Sequence, residues 1–146
     1  MSARAAVLAI ASVATIGLSY SAVAAYQAER TTWDGVYTAE QAARGDALWL
    51  DRCAKCHAND MSGGDAPSLV GSEFSGNWNG LPLGDLAERM RLTMPQDDPQ
   101  TLSREQTAEL VAAVLSANHM PPGQTELPAQ TESLKQIKYL AKKPER

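Results

Sequence analysis

The chain has 146 residues, with 13 Lys and Arg against 17 Asp and Glu, for a formal net charge of -4. That length fits one domain with appendages, and the acidic balance excludes nucleic acid as a partner class. One Phe, three Trp and four Tyr make a modest aromatic stock. A domain this small buries proportionally little surface of its own, so added apolar volume would stabilise it.

In chain order, the first segment reads as an address. Arg4 and the amino terminus are positive, Ala5 to Ser19 is apolar with small residues, and Ser21-Ala22-Val23-Ala24-Ala25 offers cleavage positions. This describes a secretory signal peptide over 1–25, cut after Ala24 or Ala25. The rival is a retained anchor, weakened by Ser12, Thr15, Ser19 and Ser21 and by Ala in place of Leu. Cleavage would leave a mature charge of about -5. Residues 26–37 are polar and unpatterned, and read as a lead-in lying on the surface.

Thr38 opens a helix, with Gln41 placed to complete a capping box and Ala39, Ala42 and Ala43 favouring helical backbone beyond it. Gly45, Trp49 and Cys53 recur every four residues, on one face. That face runs into Cys53-Ala54-Lys55-Cys56-His57, which contains both cysteines of the chain. Two thiols three apart with a histidine after the second form the pattern that attaches a c-type haem, with His57 placed to bind the iron. A structural zinc site would need a second ligand pair, and the other histidine, His119, stands alone. A thioredoxin-like dithiol would sit in a βαβ pattern, which is absent. Haem would also fill the core, so the apoprotein is expected to be largely unfolded.

Ala58 to Gly71 is rich in Gly, Asn, Asp, Ser and Pro and reads as a loop. A metal-bound histidine donates its second ring N–H to a fixed acceptor, and the carbonyl of Pro67 on a rigid loop suits that role; Pro67 as a plain turn residue is the alternative. Phe74 to Pro82 reads as a second loop, in which Trp78 either hydrogen-bonds a haem propionate or folds over as an apolar lid. A short helix follows to Thr93, apolar at Leu83, Leu86, Ala87 and Met90, with Arg89 and Arg91 as propionate candidates or solvated surface. Pro95 ends it. Ser103 and Gln106 form a second capping box for a helix to Asn118 with a stripe of Leu110, Val111, Val114 and Leu115. Glu126 to Arg146 is weakly amphipathic, with Leu134, Ile137 and Leu140 on one side, and is read as a wrapping extension with a frayed basic end.

An electron carrier keeps its iron six-coordinate, and Met is the usual partner of His there. Met1 lies in the signal peptide, Met61 is too near His57 to reach the opposite side, and Met90 reads as core. Met94 and Met120 stay open, each before a Pro, with His119 as a bis-histidine variant; Met94 is preferred because its loop can close over the ring.

From Thr38 to Asn118 the chain resembles class I cytochromes c. Gly45 and Trp49 ahead of Cys53-Ala54-Lys55-Cys56-His57, the loop Ala66-Pro67-Ser68-Leu69-Val70-Gly71, Met94-Pro95 and the final helix carry the likeness. It implies an all-α fold with crossing terminal helices over 38–118, one haem in a cleft, iron held by His57 and Met94, and Pro67 as the acceptor of His57. Ala113 stands where the family has an aromatic, which suggests a volume exchange with Trp49. Trp33-Asp34-Gly35-Val36-Tyr37-Thr38, Asn77-Trp78-Asn79-Gly80 and Gly123-Gln124-Thr125-Glu126-Leu127-Pro128 look like the cytochrome c modules of pyrroloquinoline quinone (PQQ)-dependent alcohol dehydrogenases. The resemblance implies a periplasmic electron carrier between such a dehydrogenase and a respiratory oxidase. A haem enzyme or sensor with a labile distal site, and a membrane-anchored respiratory cytochrome, are the competing expectations. No acid–base constellation argues for catalysis.

Overall fold

The computed structural model of the protein describes residues 29–145. The signal peptide or anchor assigned to 1–25 lies outside the described residues, and among them no helix is long and apolar enough to cross a membrane.

Two long helices make the frame. Helix α1, Ala39–Arg52, starts at Thr38, whose side chain accepts from the Gln41 backbone N–H at 3.1 Å. Helix α5, Arg104–Ala117, starts with a complete capping box between Ser103 and Gln106. Their sides meet at Gly45. A Cβ there would lie 1.9 Å from the Glu109 carbonyl oxygen and 3.0 Å from the Ala113 Cβ, so only glycine lets α5 come this close. Ala113 is fully buried against this spot; the small residue in α5 serves close approach to Gly45.

The remaining helices fill in around this crossing. Between them lie the single turn α2, Ala54–His57, then α3, Gly71–Trp78, and α4, Leu83–Thr93. Leu83, Leu86, Ala87 and Met90 of α4 are all buried, and α4 ends at Met94, whose extended backbone (ψ 152°) precedes Pro95. A last turn, α6, spans Thr131–Leu134.

Four expectations are corrected here. Gln41 does not close a capping box: its amide is buried, donating to the Leu127 carbonyl at 3.0 Å and accepting from the Leu127 N–H at 2.8 Å. A buried backbone segment supplies both a donor and an acceptor, which satisfies the whole amide. Residues 71–78 are helical rather than a loop. Phe74 and Trp78, one turn apart, share a face, and Phe74 is buried edge-on against Tyr139 at 5.2 Å between ring centres. That burial outweighs the weak helix propensity of Gly, Ser and Asn.

The lead-in is not a surface segment either. Thr31, Thr32, Val36 and Tyr37 are buried. Strand β1, Arg30–Thr31, pairs in parallel with β2, Ile137–Lys138, in the register Arg30 to Ile137 and Thr31 to Lys138. The Trp33 indole donates to the Leu140 carbonyl at 2.8 Å and the Tyr37 hydroxyl to the Met120 carbonyl at 2.6 Å. Finally, Tyr139, not Leu140, joins Leu134 and Ile137 in the core, because extended backbone turns alternate residues inward. The Tyr139 peptide also holds α3's exit, accepting from the Gly80 N–H at 2.8 Å and donating to the Leu81 carbonyl at 2.9 Å.

Candidate haem site

The frame leaves a crevice made of two neighbouring hollows that share lining residues, of about 300 Å³ and about 520 Å³. His57, Leu69, Met90 and Met94 line both parts. Cys53 and Cys56 face the first, along with Trp49, Leu102 and Leu110; Pro67, Asn77, Trp78 and Arg89 face the second.

The wall that carries His57 is built by continuous winding. Cys53 caps α1, its N–H donating to the Trp49 carbonyl at 2.8 Å, and the His57 N–H donates back to the Cys53 carbonyl at 3.1 Å. The two thiols are half-buried and not joined to each other. Burial, reinforced by Asp51 and Cys56 against the pull of Arg52, pushes the Cys53 thiol up to about 11. It therefore keeps its proton at neutral pH, whereas the attacking thiol of a redox Cys-x-x-Cys pair is acidified. The dithiol reading loses ground on this chemistry.

The His57 ring is fixed from two sides. Its Nδ1 lies 2.8 Å from the Pro67 carbonyl oxygen. A carbonyl only accepts, so Nδ1 carries the proton and Nε2 keeps the lone pair that a metal needs. The Trp49 ring sits 5.6 Å away, tilted by 50°, and its indole N–H donates to the Ala58 carbonyl at 3.0 Å. The Pro67 loop is itself tied down: Ala66 N–H donates to the Cys56 carbonyl at 3.1 Å, and Leu69 N–H to the Met61 carbonyl at 2.9 Å. Asn118 grips its far end, donating to the Leu69 carbonyl at 2.8 Å and accepting from the Gly71 N–H at 3.2 Å.

Met94 is half-buried and lines both parts of the crevice, as His57 does. Met120 is elsewhere, buried beside Tyr37 in a separate hollow that His119 also lines, and Met61 is buried in the core. Of the two propionate candidates on α4, Arg89 faces the crevice and Arg91 does not. Arg91 points into a small space with Arg104 and Thr131, and its Nε is buried without a partner. Trp78 ends α3 at the crevice wall, its ring centre 6.2 Å from that of Phe74 and tilted by 31°.

These residues fit a haem. The two thiols, one imidazole with a free Nε2 and one thioether border a mainly apolar crevice, with an indole and a guanidinium at one part of it. Among the described residues no three His, Cys, Asp or Glu gather as another kind of metal cluster.

Comparison with known proteins agrees. The family model described as cytochrome c oxidase, cbb3-type, subunit III matches residues 40–112, half of the chain. The chain belongs to this cytochrome c family. The crystal structure of the sulfane dehydrogenase SoxCD from Paracoccus pantotrophus is similar in fold, with a TM-score of 0.53 and 24% identity over 73% of this chain and 61% of that one. The cytochrome thus spans about three fifths of that chain. No curated protein matches it. The fold is that of a class I cytochrome c, and the family carries electrons on haem iron.

Sequence reasoning missed three groups at the site. Arg52 and Lys55 on the attachment segment pair with Asp98 and Asp97 on the loop after Met94, and Asn118 fixes the Pro67 loop. Nothing local marks the ion pairs, since their partners lie more than 40 positions apart. Asn118 could have been found as the polar residue that caps α5 just beyond its apolar stripe.

Proposed function

We propose that this cytochrome is an exported one-electron carrier with a single haem held through thioether bonds to Cys53 and Cys56, its iron bound by His57 and Met94. The observation that carries this reading is the His57 ring, fixed through Nδ1 on the Pro67 carbonyl in a crevice whose two parts both include Met94. Bound there, the haem supplies a reversible one-electron couple at the iron. The chain's own residues do the rest. The hydrogen bond that His57 Nδ1–H donates to the Pro67 carbonyl strengthens the imidazole as a ligand and fixes its plane. The Met94 thioether would be the second group to hold the iron and would favour its ferrous state. Leu69, Met90, Leu102 and Leu110 keep water from the crevice. Arg89 and Trp78 supply the polar groups suited to propionates.

The cysteine pattern and the segment from Ala5 to Ala25 support a periplasmic location with the first 24 or 25 residues removed. Dehydrogenases are the proposed electron donors and a respiratory oxidase the acceptor. The sequence segments 33–38, 77–80 and 123–128 favour a PQQ-dependent dehydrogenase, and the fold neighbour is part of a sulfane dehydrogenase.

The test is the absorption spectrum of reduced holoprotein before and after carbon monoxide. An unchanged spectrum is expected for a closed, six-coordinate iron. A rapid and complete shift would overturn the carrier in favour of a haem enzyme or sensor with a labile distal position. Haem that stays with the chain through denaturing electrophoresis is expected for the two thioether bonds.

A further inference from the structure

The loop that follows Met94 has no regular secondary structure up to α5. It is held internally, Asp98 N–H donating to the Pro95 carbonyl at 3.0 Å and the Thr101 hydroxyl to the Asp98 carbonyl at 2.8 Å. Across the crevice mouth it meets two cations of the attachment segment. The Lys55 ammonium pairs with the Asp97 carboxylate. The Arg52 guanidinium donates to the Thr101 hydroxyl at 2.8 Å and stands 3.6 Å from the Asp98 carboxylate. Arg52, Lys55 and Asp97 all line the first part of the crevice together with Cys53 and Met94.

We infer that Arg52 and Lys55 are positioning residues for Met94: with Asp97 and Asp98 they clasp the distal loop to the segment that carries the haem, and so hold the thioether on the iron. This rests on Met94 being the ligand. The attachment segment is a fixed base, because it is both helical and the site of haem attachment, while the loop has no helix or strand of its own. A contact between the two therefore sets how often the loop lifts. Exposed pairs are individually weak, each changing an equilibrium by about two- to fivefold. Two acting on the same loop should shift the opening of the Met94 bond by about tenfold, and salt should screen them.

The test is an imidazole titration of the ferric holoprotein, followed by loss of the sulfur-to-iron charge-transfer absorption, at low and high ionic strength. Arg52→Gln combined with Lys55→Gln should bind imidazole about tenfold more tightly than wild type at low salt, and the two should converge at about 1 M salt. Exchanging the charges, Lys55→Asp with Asp97→Lys, should restore affinity toward wild type, which a merely structural role would not produce. If the double variant is not obtained folded, wild type alone decides: its imidazole affinity should rise severalfold with salt. Equal affinities at low salt, no rescue by the exchanged pair, or a salt-independent wild type would overturn the clasp. Met94→Ala keeps the two readings apart. If it retains the charge-transfer absorption, the ligand assignment fails and the clasp with it; if it loses the absorption while the cation variants behave as wild type, only the clasp is refuted.

Discussion

Gly45→Ala tests the helix crossing on which the site is built. The added Cβ would sit 1.9 Å from the Glu109 carbonyl oxygen, 2.6 Å from its carbon and 3.0 Å from the Ala113 Cβ. Two of these are backbone atoms in the middle of a helix, so no side chain can swing aside. Relief to ordinary contact requires α1 and α5 to part by roughly an ångström, which loosens the buried run from Leu110 to Leu115. Overpacking of this kind costs about 1–3 kcal/mol, and the contact is severe enough to place it at the top of that range. Alanine's better helix propensity returns about 1 kcal/mol. The net of about 2 kcal/mol should lower the melting temperature of the holoprotein by about 10 °C. Thermal unfolding followed by far-UV dichroism measures it. An unchanged or higher melting temperature would mean that the helices are not in contact at this residue, and would refute the clash.

Gln41→Ala should cost about 1–3 kcal/mol in denaturant unfolding, because both the N–H and the carbonyl of Leu127 lose their buried partner; a neutral result would mean water replaces the amide. Met94→Ala should abolish the sulfur-to-iron absorption and lower the reduction potential, and retention of both would move the ligand elsewhere. Burial raises the Tyr37 phenol above its ordinary value of 10.0, with Asp46 adding to the shift and a hydrogen bond with Ser116 opposing it. The folded state therefore holds the Tyr37 proton more tightly than the unfolded chain, so this contribution is intact below pH 10 and is lost as pH rises through the folded value. Tyr37→Phe should flatten that part of the alkaline decline in unfolding free energy, and an identical decline in the variant would exclude Tyr37 as its source.

The parts of the molecule legible in the sequence are those set by neighbours within a few residues. Ser103 and Gln106 announce α5, and Gly45, Trp49 and Cys53 mark one face of α1; the spacing from Cys53 to His57 is the ground for the proposed haem attachment. The misread parts depend on distant partners. Nothing near Gln41 signals that its amide answers Leu127, and the run from 29 to 37 is buried because residues 137–140 and 120–123 lie beside it. Gly71–Trp78 carries loop-forming residues, yet Phe74 has Tyr139 to pack against and the helix wins. Arg91 and Arg89 look alike as sequence; a helical turn of 3.6 residues sends them to different sides of α4.

The distant contacts also explain how the His57 ring can be held precisely in so small a protein. Asn118 closes α5, and its one side chain bonds the Val114 carbonyl of that helix at 2.9 Å as well as both ends of the Leu69–Gly71 turn. The far end of the Pro67 loop is therefore tied to α5, while Ala66 ties its near end to the Cys56 carbonyl. His57 belongs to the continuation of α1 through α2, and its Nδ1 reaches across to that loop. The imidazole is thus oriented from two sides, by the Pro67 loop's bond to the Cys56 carbonyl at 3.1 Å and by its hold on α5, which Gly45 sets against α1 at the crossing. A change that parts the two helices pulls on the second of these holds as well as weakening the core. With His57 as the proposed iron ligand, damage to the crossing should appear as a shifted reduction potential even in molecules that remain folded.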